Sequence, residues 1–429
     1  MITIITVILV LSFLIFIHEL GHYLAARAVG VRVIEFSIGF PPKVLSKKIG
    51  QTEYMLSMIP IGGYVRLHGQ NIDDEDPSEK DNYASKSILQ RLVILLAGPL
   101  MNLVVAFAFM PFVYFIGYDI PAYMLNPPVI GSVIAGSEAD KLDLRKNDLI
   151  TTVNNNPVKT WREAQAELTR NQNELINLKI QRGTDTISRS ISASLLKKAP
   201  GFGWRVNIPP VVGDITSESP AALANFLPGD RIIEIAGQPI NDWADISPKL
   251  QETAGKEIVI RIQRQNQISS IRLAPIWNET SNHWIIGISS QSVRVFETMG
   301  DSFSLGVQRV ITMTYRTLEF LYQLVSFQAD TDSVGGPIMI VQMVGQAAES
   351  NLSSLISLIS FISLQFAIFN LLPIPALDGG HIFFLGMEKI KGSSLSQGFR
   401  LLSQKIGFTL LLFLIIYISI QDGLRIFNQ

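Results

Sequence analysis

The chain has 429 residues, 48% of them hydrophobic, a formal net charge of −1 and no cysteine. Disulfides and thiolate metal sites are therefore excluded, any metal must rest on His, Asp or Glu, and no basic excess points to nucleic acid as a partner. So high an apolar share implies membrane spans alternating with soluble modules, roughly two to four domains in all.

Residues 2–17 read ITIITVILVLSFLIFI, without a charge or a proline, and the apolar character resumes beyond His18-Glu19-Leu20-Gly21-His22. A helix needs about 20 such residues to cross a bilayer, so 1–27 is expected to be a first transmembrane helix. It lacks a basic leader and a small-residue cleavage site, and is read as retained. Positions i and i+4 share a helix face, so His18 and His22 present two imidazoles side by side. That is the ligand pair zinc takes, with Glu19 beside it as general base toward an activated water. Ionisable residues within a span are costly and usually functional, which favours this reading over a chance match.

Residues 28–88 form a loop. Arg27, Arg32, Lys43, Lys47, Lys48 and Arg66 mark it as cytoplasmic, with the N-terminus outside. Within it VIEFSIGF and TEYMLSMI read as a hairpin over 33–67, separated by a turn-rich PPKVLSKKIGQ; Pro60, Gly62 and Gly63 interrupt the second strand. The run Asp73, Asp74, Glu75 and Asp76 reads as a solvated loop. Residues 89–117 form the second span, where Gly98, Pro99 and Asn102 suit close packing or support of a site.

Residues 127–206 and 207–290 have soluble composition, and within them 127–161 align with 209–243 without a gap at a shift of 82, Gly131 meeting Gly213, Asp148 meeting Asp230 and Trp161 meeting Trp243. A period that long suggests duplicated domains. Each copy reads strand, short helix, turn, strand, proline turn, helix, strand. Lys146-Asn147-Asp148 replaces the Pro228-Gly229-Asp230 turn in the first copy, and Asn tolerates the left-handed conformation. Residues 296–350 form an amphipathic helical region, with apolar residues at helical spacing from Phe296 to Val325. The third span, 352–380, ends in NLLPIPALDGG, where Pro373 and Pro375 stop the helix at membrane depth. Irregular backbone there must be buried or line a wet cavity, which makes Asp378 a candidate third ligand. Lys389, Lys391, Arg400 and Lys405 mark a second inner loop before the fourth span, 401–421.

HELGH at 18–22, GPLMN at 98–102, the paired modules and NLLPIPALDGG at 370–380 together resemble the site-2 protease family of intramembrane zinc peptidases over nearly the whole chain. The fold class is then a multi-pass α-helical membrane protein with four spans, a membrane-associated β-hairpin and two tandem α+β PDZ-like domains. The resemblance implies that His18, His22 and Asp378 bind Zn2+, that Glu19 activates water, and that Asn370 supports substrate and transition state. It implies cleavage of single-span proteins within the membrane after a first external cut, with a trimmed anti-sigma factor or remnant signal peptide as substrate and membrane lipid as a further partner. It places the protein in the bacterial inner membrane, its PDZ-like domains periplasmic and its active site toward the cytoplasmic face. The modules would act as a substrate size filter, and a sheet edge at 33–39 or 53–59 would pair with unwound substrate. Two rival classes remain. A scaffold is disfavoured by the intact His18, Glu19, His22 and Asp378, and a metal transporter by four spans with one ligand cluster.

Overall fold

The computed structural model describes residues 2–69, 79–170, 175–196, 202–279, 282–326, 328, 335–393 and 395–427; the acidic run Asp73–Asp76 lies outside them. The chain divides into two units, Met1–Tyr118 with Phe296–Asn428, and Asp119–Val295.

Among the described residues, the first unit contains four helices long and apolar enough to cross a membrane, Thr3–Ala28, Ile88–Ile116, Leu352–Asn370 and Gly398–Leu424. The first three form its core. Val10 and Leu14 of the first helix interlock with Val105 of the second, Leu358 and Ile362 of the third, and Val344 of a shorter helix, Pro337–Ser350. Apolar side chains gain little over lipid tails, so close approach and polar contacts have to hold such helices together. Both are present. A Cβ at Gly21 would overlap the Ala97 carbonyl. Ser360 Oγ donates to Ala106 O at 2.9 Å and Ser363 Oγ to Asn102 O at 2.7 Å. The fourth helix is peripheral, with 6% of its apolar window buried against 28–39% in the others. Polar contacts hold it at both ends: Arg400 pairs with the buried Glu388, and the Asp422 carboxylate accepts the Gly336 and Met339 N–H groups at 3.0 and 3.1 Å. The amphipathic region proves to be two helices, Met299–Val325 and Pro337–Ser350.

Residues 33–67 form two long strands, Val33–Ile49 and Thr52–Leu67. The segment PPKVLSKKI, read from sequence as a turn, is strand, and the turn shrinks to Gly50-Gln51. Both strands bend, so each is used twice. Residues 43–49 run antiparallel to 52–57, and 63–67 antiparallel to 33–38. Between them Glu35–Glu53, Phe36–Tyr54, Ser37–Met55 and Ile38–Leu56 climb together, as parallel neighbours do. The sheet order is therefore 43–49, 52–57, 33–38, 63–67. This corrects the expected edges: 33–39 and 53–59 lie inside the sheet, and 43–49 and 63–67 bound it.

Among its described residues, the second unit holds two four-stranded sheets of the same order. Asn156–Pro157, Leu149–Val153, Leu175–Arg182 and Asp185–Ser192 form one; Gln238–Pro239, Arg231–Ile235, Ile258–Arg264 and Gln267–Leu273 form the other. Ile150, Ile176 and Ile180 fill the first core against Trp161; Ile232, Ile260 and Ile262 fill the second. Tyr123 and Met124 pack on the first core, extending it beyond the expected start at 127. Each sheet buries one aspartate under an arginine 34 residues on. Asp148 takes Arg182 at 2.8 and 2.9 Å, and Asp230 takes Arg264 at 2.7 Å through both oxygens. Burial raises the Asp148 pKa, but the Arg182 hydrogen bonds and the Arg145 N–H outweigh it and hold that carboxyl below its ordinary value. Asn147 adopts φ 70° where Gly229 has 92°, so asparagine supplies the left-handed turn.

Candidate metal centre

His18 and His22 lie one turn apart on the first helix with Nε2 atoms 3.2 Å apart. Asp378 reaches them from the far side of the sequence. Its Oδ2 is 3.1 Å from His18 Nε2 and 3.5 Å from His22 Nε2. The third helix ends at Asn370, and the chain turns through Pro373 and Pro375 before Asp378 opens a new helix, Asp378–Lys391. Gly379 and Gly380 permit that reversal, since a Cβ at either would overlap backbone between Leu371 and Pro375.

The second helix fixes both imidazoles. His22 Nδ1 lies 2.8 Å from the Ile94 carbonyl, which can only accept, so Nδ1 carries the proton and Nε2 presents a lone pair. His18 Nδ1 lies 3.3 Å from the Asn102 amide, whose Oδ1 is buried without a partner. Amide oxygen and nitrogen are assigned by their surroundings. Turning the Asn102 amide over lets Oδ1 accept from His18 Nδ1–H, satisfying the orphaned atom and leaving His18 Nε2 as a lone pair too. A Cβ at Gly98 would overlap both imidazoles. Thus the GPLMN stretch supplies the floor of the site through Gly98 and an orienting partner through Asn102.

With both imidazoles neutral and protonated at Nδ1, two Nε2 lone pairs and Asp378 Oδ2 would converge on one point. A cation resolves that convergence. Zinc bonds to nitrogen and carboxylate oxygen are about 2.0–2.2 Å, which makes a tetrahedral edge about 3.3–3.5 Å. The observed separations of 3.2, 3.1 and 3.5 Å lie within about 0.2 Å of it.

Glu19 is half-buried beside the 63–67 sheet edge, near the Val65 backbone, and a methyl at Gly63 would stand 3.4 Å from its Cγ. Asn370 closes the third helix, half-buried, with no hydrogen bond to the triad among the described residues. His381, one turn beyond Asp378, faces the fourth helix instead, 3.4 Å from the Gln404 amide. A second grouping, His68, Glu79 and Asp81, already holds a cation of its own: Arg32 lies 3.0 Å from Glu79 and 3.3 Å from Asp81. That contact leaves the His18–His22–Asp378 group as the metal candidate among the described residues.

The profile of Peptidase family M50 matches residues 6–414. Similar proteins include the regulator of sigma E protease of Haemophilus influenzae, 30% identical over 447 residues and 98% of each chain. The regulator of sigma-E protease RseP of Escherichia coli is 29% identical over 450 residues, 98% of this chain and 97% of its own. A Neisseria meningitidis protein whose name describes a zinc metalloprotease is 28% identical over 450 residues, 99% of each chain. With that match running from the first apolar helix into the last, the chain belongs to Peptidase family M50, the site-2 protease family, and is a zinc metalloprotease.

Proposed function

We propose that the protein is an intramembrane endopeptidase that cuts single-span membrane proteins after a first external cleavage, with His18, His22 and Asp378 holding Zn2+. The observation that carries this is the convergence of His18, His22 and Asp378 ligand atoms, two of them on a helix long and apolar enough to span a membrane. Zinc at that position supplies Lewis acidity and brings a water's pKa down toward about 7. Glu19 takes the proton of the attacking water as its oxygen bonds to the scissile carbonyl carbon. It then delivers a proton to the amide nitrogen as the C–N bond breaks. Asn370, at the end of the third helix, holds the substrate backbone near that carbonyl.

A helical substrate hides its carbonyls in its own ladder, so cleavage needs an extended segment. Here the 63–67 edge serves, because Val65 faces Glu19 and side-chain-independent pairing along it would line up a strand with the base. The two sheets of the second unit act as PDZ-like modules that exclude untrimmed substrates by size. Relatives named for regulating sigma E favour a trimmed anti-sigma factor as substrate, and a bacterial inner-membrane location with the modules periplasmic and the zinc site toward the cytoplasmic face. The test is cleavage of a single-span substrate in lipid vesicles. Glu19→Gln should retain zinc and lose at least about a hundredfold in rate. Hydrolysis at the wild-type rate in zinc-loaded Glu19→Gln would remove Glu19 from the mechanism.

A further inference from the structure

Between the first helix and the strand segments 33–38, 43–49 and 52–57 lies an open groove of about 450 Å³. Its walls are Phe16 and Leu20 of the helix with Phe36, Ile38, Leu45 and Leu56 of the sheet. The register places Leu45, Leu56 and Ile38 on one row and Lys47, Tyr54 and Phe36 on the next, so the apolar row and the tyrosine row share one face. Leu45 is 65% and Leu56 47% exposed, an apolar surface no other described element covers.

One end of this groove differs from the rest. Tyr23 OH and Tyr54 OH lie 2.5 Å apart, and Arg27 Nη1 donates to Tyr23 OH at 2.8 Å. Lys47 sits beside Tyr54 in the register and lines the same groove. Neither Arg27 nor Lys47 has a carboxylate partner among the described residues; the nearby Glu53 pairs with Lys43 and Glu35 with Arg66. Phe16 lies eleven residues before Arg27, about 16 Å deeper along the helix axis. The groove wall runs from Phe16 to Tyr23, about 10 Å along the helix; two phenols and Lys47 at that end, with Arg27 one turn beyond and neither cation facing a carboxylate among the described residues, give the polarity profile of a lipid seen lengthwise: charged head, interfacial aromatics, hydrocarbon.

We propose that this groove is a binding site for an anionic phospholipid, one acyl chain lying between Phe16, Leu20, Leu45 and Leu56 and the phosphate held by Arg27 and Lys47. A substrate segment would fill the apolar length but leave both cations uncompensated, which is why the lipid is the occupant. The inference rests on the reading of the first helix as a membrane span. A bound lipid would also brace the outer half of the sheet, whose 43–49 edge is exposed along its length.

The test uses full-length protein reconstituted in phosphatidylcholine vesicles containing a minor share of phosphatidylglycerol, then released for native mass spectrometry. Wild type should retain one phosphatidylglycerol, favoured over phosphatidylcholine roughly tenfold or more, as two basic residues near a lipid surface provide. Arg27→Gln with Lys47→Gln should abolish the preference, and Leu45→Trp, which fills the groove, should abolish retention of either lipid. Zinc content and insertion into the vesicles report whether each variant is folded and membrane-bound, so failure of the membrane reading shows separately. Inserted, zinc-loaded wild type that retains no lipid, or a preference unchanged by the double substitution, overturns the proposal. So does displacement of the lipid by a hydrophobic substrate peptide.

Discussion

Asn102 is fully buried, and its amide meets His18 across two helices. Outer partners of this kind set the tautomer of a ligating histidine, and their loss typically costs about 10–100-fold in metal affinity. Asn102→Ala should weaken zinc binding by that factor in a competition titration with a chelator. Asn102→Asp, which keeps an acceptor oxygen, should restore most of it. Unchanged affinity in Asn102→Ala would reduce the residue to packing. The pairing of His18 with His22 was legible in the sequence because helical periodicity alone puts i and i+4 on one face. Asp378 was legible because prolines force irregular backbone at membrane depth. The function of Asn102 was left open for a physical reason: spacing within one helix says nothing of which neighbouring helix it faces.

The bent sheet shows a second limit on what sequence reveals. Pro41, Pro42, Lys43, Lys47 and Lys48 look like a turn, yet 43–49 is an edge strand. Prolines and lysines are the residues that edges tolerate, since an edge needs no full ladder of donors and charge discourages stray pairing. The result moves the proposed substrate edge to 63–67. Because the chain has no cysteine, single thiols test this cleanly. With Glu19→Gln to trap substrate, a cysteine at Tyr64 should form disulfides with substrate cysteines near the scissile bond, at alternate positions because side chains alternate along a strand. A cysteine at Ser46, on the opposite edge, should form none. Crosslinks at Ser46 with none at Tyr64 would assign substrate to the other edge.

Across the whole molecule, the four apolar helices match the spans expected from hydropathy, because length and absence of charge are properties of the chain itself. Their orientation rests on the basic loops. Cysteines at Ser194 or Ser269 should label in intact cells, and one at Ser85 only after permeabilisation; labelling at Ser85 in intact cells would invert the topology. What the spans exist to position is the convergence of three donors drawn from residues 18, 22 and 378. The most direct measurement of that claim is metal content in purified full-length protein. Wild type and Glu19→Gln should each carry about one zinc per chain, while His22→Ala and Asp378→Ala carry almost none. Full zinc occupancy in Asp378→Ala would contradict the site.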